Sequence, residues 1–217
     1  MCLLDDVADD SGRFAPSSSH GESITTDAEY LGVRVLFERT LGERTRLHLQ
    51  VDVGLVDVVV PAPNEIEYPV LLDQAHRLLL SYTVETVVAE KLHAMVELDL
   101  ANRRMKDFWD IVALARRQEF RLHVMKEAIV ATFRRRGTPI PSNPPTAFTA
   151  ASVDNPEKQV QWRAFLKKGR LPMTELKDVV PELVAFAMPV LRVAAGEETG
   201  DAIWSPGTGW KVMPPLS

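Results

Sequence analysis

The chain has 217 residues, 46% of them hydrophobic, and carries a formal net charge of −5 at pH 7. These values allow a sizeable buried core, exclude a wholly disordered chain, and give no global signature of a nucleic-acid-binding protein. A single cysteine, Cys2, excludes an internal disulfide and any zinc site built from several cysteines. No apolar run reaches the roughly 20 residues of a membrane-spanning helix, so we expect a cytoplasmic protein without a membrane partner.

The chain up to residue 80 is expected to consist mainly of β-structure. Its beginning, up to residue 27, is rich in Ser, Asp and Gly and predicts an irregular lead-in. From Leu31 apolar and polar residues alternate, as in a half-buried strand, and after a turn at LGER the alternation returns in RLHLQVDVG. We therefore predict a hairpin and then a short strand at VVVPAP, with all strands between about residues 31 and 60.

Asp52 lies on the polar face of the second predicted strand, together with His48 and Gln50. The simplest interpretation is that this face is exposed to solvent. The alternative is that it faces the helices that follow along the chain. In that case Asp52 would add a carboxylate to a cleft beside those helices.

A capping signal marks the start of the first helix. Thr83 can cap it, and Glu85 lies in the first turn, where the helix dipole favours a negative charge. Apolar residues then recur at helical spacing on one stripe, which consists of Val84, Val87, Val88, Leu92, Met95 and Val96. Lys91 lies inside this stripe, so its charge is expected to need a partner.

A second helix is predicted to begin near Met105, and it shows the same anomaly with the opposite sign. Asp107 falls within its apolar face, which consists of Phe108, Ile111, Val112, Leu114 and Ala115. Asp110 lies at the edge of that face. Only about half a dozen residues separate the two helices, so an antiparallel hairpin is expected. Lys91 and Asp107 should then approach each other.

Two interpretations of these charges remain open. One is a structural ion pair that closes the hairpin. The other is an anion-binding cleft in which Lys91 meets a phosphate while Asp107 and Asp110 orient it, hold a metal or act as a base. Three cations, Arg103, Arg104 and Lys106, precede or flank Asp107 and suit a polyphosphate or a nucleic acid, although a basic run is commonly a solvated surface.

The rest of the chain is expected to be helical. A helix over Leu122–Arg136 ends on three arginines, and two more are predicted at Pro156–Lys168 and Thr174–Ala195, the last containing two prolines. The tail, residues 196–217, is rich in Gly and Pro and is expected to lie on the surface or to be loose. The predicted fold class is α+β, with regions at 1–80, 81–195 and 196–217.

The segment YTVETVVAEKLHAMVELDLANRRMKDFWDIVALARR resembles the signature of the AbiEii/AbiGii toxin family of nucleotidyltransferases, in which an ExxxAEKxxA helix precedes an RMKDxxD helix. The resemblance continues on both sides and covers the chain from about Asp27 to Leu191. It implies a DNA polymerase β-like nucleotidyltransferase sheet, here incomplete, followed by a helical C-terminal domain. It also implies a toxin of a toxin–antitoxin or abortive-infection system.

The activity implied by the resemblance is transfer of a nucleotide from an NTP to RNA, namely tRNA, and a cognate antitoxin is a further expected partner. The catalytic residues that it implies are Lys91, which contacts the triphosphate, Asp107 and Asp52. Phosphate binding falls to Lys91, Lys106, Arg104 and Arg103, and supporting roles fall to Asp110, Glu85 and Glu90.

Magnesium is the cofactor that the family implies, with Asp52 as a ligand in this chain. The family holds it with a Gly-Ser loop and an Asp-x-Asp pair upstream of the matched part, and this sequence contains neither. We therefore expect a truncated form that is weak or inactive alone. The alternative is a non-catalytic remnant that binds nucleotide, RNA or a protein partner.

Overall fold

The computed structural model of the protein describes residues 12–26, 30–42, 44–54, 58–70 and 75–213. Cys2 and the rest of the first 11 residues lie outside the described residues. The chain divides into two compact units, Met1–Asp57 and Val58–Ser217. This division falls earlier in the chain than the boundary predicted after residue 80.

The first unit contains a three-stranded antiparallel sheet in the order β1-β2-β3. Its strands are β1 (Gly12–Thr26), β2 (Tyr30–Leu41) and β3 (Thr45–Gly54). The predicted hairpin is confirmed as β2 and β3, with Val35 opposite Val51. The prediction of an irregular lead-in was wrong over the residues of β1. This strand is held by backbone pairing with β2 and does not need an alternating apolar pattern.

The segment after the first unit does not form the short strand predicted at VVVPAP. The carbonyl of Val60 instead accepts a hydrogen bond from Thr86 Oγ1 at 2.8 Å, and Pro61 and Pro63 lack the backbone N–H that a sheet ladder requires. A two-stranded antiparallel hairpin follows, formed by β4 (Asn64–Tyr68) and β5 (Arg77–Ser81).

The described part of the second unit contains six α-helices. They are α1 (Val84–Leu98), α2 (Met105–Ala115), α3 (Leu122–Arg136), α4 (Ala150–Val153), α5 (Pro156–Gly169) and α6 (Leu176–Ala195). The predicted cap is confirmed, since the Thr83 side chain accepts from the Thr86 N–H. α6 is continuous through Pro181 and Pro189. Mixed helices and antiparallel strands, with a helical C-terminal part, confirm the α+β class.

The apolar faces of these helices meet in one core. Its largest fully buried side chains include Leu92, Met95, Phe108, Ile111, Met125, Phe133, Trp162, Leu183 and Phe186. Most residues of the stripes predicted from helical spacing therefore point inward, whereas Val87 of the predicted α1 stripe does not join this core. Lys91 and Asp107 lie at the edges of the apolar faces of α1 and α2. Among the described residues, no helix is both long and apolar enough to cross a membrane.

The tail predicted to be on the surface or loose forms a hairpin of β7 (Ala202–Ser205) and β8 (Gly209–Val212). It joins β6 (Phe120–Arg121) in a three-stranded sheet. Two tryptophans fix it: Trp204 Nε1 donates to the Ala115 carbonyl at 2.7 Å, and Trp210 Nε1 donates to the Phe186 carbonyl at 2.9 Å. These indole bonds explain how a Gly-rich tail becomes ordered.

His93 on α1 is a buried histidine, with 4% of its surface exposed. Its Nε2 lies 2.8 Å from Thr138 Oγ1, and its ring packs against Phe133. Burial lowers the pKa of His93 below 6.5; Glu97 opposes this shift and Arg136 adds to it. Just below its ordinary pKa, His93 is therefore protonated in the unfolded chain but stays neutral in the folded protein.

We expect the free energy of unfolding to fall as the pH is lowered through about 6.5, because only the unfolded His93 becomes protonated there. Above that pH the contribution is fully present. Urea titrations on both sides of this pH measure the effect, and His93→Gln should flatten the dependence. A His93→Gln variant with the same pH dependence as the parent would contradict the assignment.

Candidate functional site

Lys91 on α1 contacts two carboxylates of α2. Its Nζ donates to Asp107 Oδ1 at 2.7 Å and lies 2.9 Å from Asp110 Oδ2. The predicted approach of Lys91 and Asp107 is confirmed. Asp110, expected only at the edge of the apolar face, is brought to the same ammonium group because it lies one helical turn after Asp107.

The site stands at the boundary between core and solvent. The exposed fraction of the side chain is 18% for Lys91, 11% for Asp107 and 22% for Asp110. Asp107 lies in the first turn of α2, where the helix dipole favours its negative charge. The network is therefore mostly buried, with a small part of each side chain still accessible to solvent.

The carboxylates keep Lys91 charged. Burial alone would lower the pKa of Lys91, but hydrogen bonds to Asp107 and Asp110 outweigh it and raise the pKa above its ordinary value. Burial likewise opposes ionisation of Asp110, yet Lys106 and Lys91 lower its pKa on balance. Lys106 also donates directly to Asp110. Two lysines and two carboxylates thus form a charge-balanced network.

A groove of about 470 Å³ is lined by the loop before α2, by the first residues of α2, including Asp107, and by the helix α5. Its lining includes Arg103, Arg104, Lys106, Asp107, Gln161 and Phe165. The three cations predicted to bind phosphate therefore line one groove: Arg103 and Arg104 in this basic loop, and Lys106 in the first turn of α2. Because Asp107 belongs to both features, the groove and the Lys91 network are continuous.

Two side chains, Asp99 and Lys158, anchor the basic loop to the rest of the second unit, and a third, Asn102, bonds within the loop. Asp99 Oδ1 accepts from the Ala147 N–H at 3.0 Å, and Asn102 Oδ1 accepts from the Arg104 N–H at 2.7 Å. Lys158 on α5 is buried and donates to the carbonyl of Asn102. Burial lowers the pKa of Lys158. Burying a cation is costly unless it is hydrogen-bonded, so the bond from Lys158 to this carbonyl indicates that the loop has one well-defined conformation.

Replacing Lys158 with methionine should loosen the basic loop, because the Asn102 carbonyl loses its donor. A lost bond of about 1 kcal/mol corresponds to about fivefold faster amide exchange. Hydrogen-exchange mass spectrometry of peptides across residues 99–106 measures this. Lys167→Met, on an exposed position of the same helix, should leave exchange unchanged. Equal protection in the Lys158→Met variant would show that Lys158 does not hold the loop.

Asp52 lies in the other unit, on β3. Its carboxylate accepts from Arg34 Nε at 2.8 Å and Nη2 at 3.0 Å, and from Gln50 Nε2. The hydrogen bond from Arg34 lowers the pKa of Asp52. The roles of Asp52 as a third carboxylate of the site with Asp107 and Asp110, and as a metal ligand, stay predictions. So do the supporting roles of Glu85, in the first turn of α1, and of the half-buried Glu90 beside Lys91.

Magnesium binding requires several oxygen ligands around one point. Within the part of the chain that the structure describes, no three His, Cys, Asp or Glu side chains are grouped in that way. Asp107 and Asp110 are also both engaged by lysines. These residues do not fit a self-contained magnesium site.

Sequence reasoning did not identify the α5 side of the groove. Gln161 and Phe165 are four residues apart on a predicted helix, so the sequence predicted that they share one helix face. Nothing in the sequence indicated which part of the fold that face lies against. Lys158 gave no local signal, because lysines on helices are commonly exposed.

A model of a protein family matches residues 3–182, and its description is the nucleotidyl transferase AbiEii toxin of type IV toxin–antitoxin systems. Comparison with curated proteins and with solved structures gave no match. The matched range covers most of the chain and includes Lys91, the basic loop, α2 and α5. The chain therefore belongs to the AbiEii nucleotidyl transferase toxin family.

Proposed function

We propose that the protein is a toxin that transfers a nucleotide from an NTP to RNA, with tRNA as the acceptor. The observation that supports this most directly is a lysine held charged by two carboxylates, one of which, Asp107, also lines a groove with three cationic side chains. Family membership supplies the reaction class, and this arrangement supplies groups suited to a triphosphate and to a hydroxyl nucleophile.

Lys91 is suited to bind a phosphate oxygen. An ammonium group has three N–H donors, and the contacts with Asp107 and Asp110 use two of them. The third can donate to a phosphate, and the two carboxylates fix the direction in which it points. Such preorganised charge is the main source of catalysis in phosphoryl chemistry.

Asp107 is suited to accept a proton from the RNA hydroxyl. In the proposed step the hydroxyl oxygen forms a bond to the α-phosphorus, and the bond from that phosphorus to the oxygen bridging the β-phosphate breaks. Pyrophosphate leaves, and the hydroxyl proton passes to the Asp107 carboxylate. Asp110 acts through Lys91 and is a positioning residue. Arg103, Arg104 and Lys106 provide positive charge for the polyanionic substrates.

A cognate antitoxin is the protein partner that this toxin–antitoxin family implies. Magnesium binding is expected for the family and stays a prediction. Among the described residues, no three His, Cys, Asp or Glu side chains are close enough together to hold the ion.

The same observation favours a second candidate, a protein that binds nucleotide or RNA without transferring anything. Engagement of Asp107 and Asp110 by lysines is compatible with a binding surface alone. The two candidates differ in one measurable property, which is whether a new phosphodiester bond forms.

The test is incubation of the purified chain with magnesium, tRNA and NTPs labelled at the α-phosphate. We expect label to appear on tRNA, and expect Lys91→Met and Asp107→Asn each to reduce it by at least about tenfold. Arg163→Gln, an exposed cation on α5 outside the groove lining, is the matched control. NTP binding without any label transfer would favour the second candidate.

A further inference from the structure

We propose that the groove between the basic loop and α5 binds the single-stranded end of the acceptor RNA, with a base stacked on Phe165. This inference rests on the proposed function and assigns a place to its RNA substrate. Asp107 is one of the residues that line the groove, so an RNA strand lying in it would pass beside the residue proposed to accept the hydroxyl proton.

The groove surface is mainly apolar, and three of the residues that line it are cations that can contact a phosphate backbone. Arg103, Arg104 and Lys106 are all exposed, and only Lys106 forms a close contact with a carboxylate of the site, Asp110. Arg103 approaches Glu157 at 4.0 Å, which is a weak surface contact. Lys168 extends the positive charge along α5, because it lies three residues after Phe165 on the same helical face.

Phe165 provides a fixed surface for stacking. It lines the groove and is half-buried, and its ring packs against Trp162 and Trp109 at centroid distances of 5.7 and 6.5 Å. These two tryptophans restrict the rotamer of Phe165, so little entropy is lost when a base stacks on it. Aromatic side chains that alternate with cations in a groove are typical of single-strand binding.

Gln161 adds a group that can contact a base edge. Its Nε2 donates to Glu157 Oε1 at 3.0 Å. Its Oε1 is a buried acceptor without a hydrogen-bond partner among the described residues. A rotation of the Gln161 side chain that turns this oxygen into the groove would let it accept from a base amino group. An acidic protein segment would use the cations of the groove but would have no need of the aromatic ring or of the amide acceptor.

The test measures binding of a fluorescent single-stranded RNA to the full chain by anisotropy over a range of salt concentrations. Phe165→Leu keeps an apolar side chain but removes the stacking surface, and should weaken binding about tenfold with an unchanged salt dependence. Arg104→Gln should reduce the slope of log affinity against log salt by about 0.7 for a single strand. Arg163→Gln, on an exposed position of α5 outside the groove lining, should change neither property.

Several outcomes would overturn the groove assignment. They are absence of RNA binding by the parent chain, an unchanged affinity in Phe165→Leu, or an effect of Arg163→Gln as large as that of Arg104→Gln. Displacement of the RNA by polyglutamate, combined with insensitivity to Phe165→Leu, would identify a general anion surface instead. Label transfer to tRNA separates the two proposals. RNA binding that depends on the groove, without label transfer, would overturn the proposed function alone. Label transfer without RNA binding that depends on the groove would overturn the groove assignment alone.

Discussion

Replacing Phe186 with alanine is expected to lower the free energy of unfolding by about 3–5 kcal/mol. Phe186 is fully buried on α6, and its ring packs against Phe120 of β6 and against Trp204 and Trp210 of the C-terminal hairpin. The substitution removes the ring on which all three aromatic residues rest and leaves a cavity that they cannot fill. Chemical denaturation followed by tryptophan fluorescence measures the loss.

Phe186→Leu is the matched control, since it keeps most of the volume and should cost less than about 2 kcal/mol. The two variants together test whether the C-terminal hairpin belongs to the core. If Phe186→Ala lowered stability by no more than Phe186→Leu, the hairpin would contribute no packing, and the structural account of the tail would be wrong.

Lys91→Met is expected to lower the free energy of unfolding by about 3 kcal/mol, because it leaves Asp107 and Asp110 near the core without the cation that compensates them. Urea denaturation measures this loss. Adding Asp107→Asn to the same chain should recover part of it, since the remaining carboxylate of Asp110 still has Lys106 as its partner.

Lys106→Met is the control for a surface charge. The Lys106 side chain is 68% exposed, so its loss should cost less than about 1 kcal/mol. If Lys91→Met and Lys106→Met had equal effects on stability, the ion pair of Lys91 would be as weak as an ordinary surface contact.

Helices were predictable from the sequence where spacing and caps agree. The stripe that contains Val88, Leu92 and Met95, together with the cap at Thr83, was enough to predict α1 from the sequence. The strand β1 and the C-terminal hairpin were not predictable in this way. Backbone pairing with β2 holds the first, and the indole bonds of Trp204 and Trp210 hold the second; both are tertiary interactions between distant residues.

The site divides along the same line. Lys91 and Asp107 were identified because a charge on an apolar stripe requires a partner, and a short connection left only one helix to supply it. Phe165, Gln161 and Lys158 were not, because their meaning depends on where α5 lies against the basic loop. Local patterns thus revealed the ion pair and the cations, whereas the groove that joins them depends on tertiary packing.

The central claim is that Lys91 binds a phosphate and does not serve only to close the helical hairpin. Equilibrium binding of a fluorescent nucleoside triphosphate tests it most directly, comparing the parent chain with Lys91→Met and with Lys167→Gln, under conditions in which circular dichroism shows all three to be folded. We predict affinity at least about tenfold lower for Lys91→Met, from loss of a charge-assisted hydrogen bond, and an unchanged affinity for Lys167→Gln. An unchanged affinity in folded Lys91→Met would contradict the account and leave Lys91, Asp107 and Asp110 as a structural ion pair.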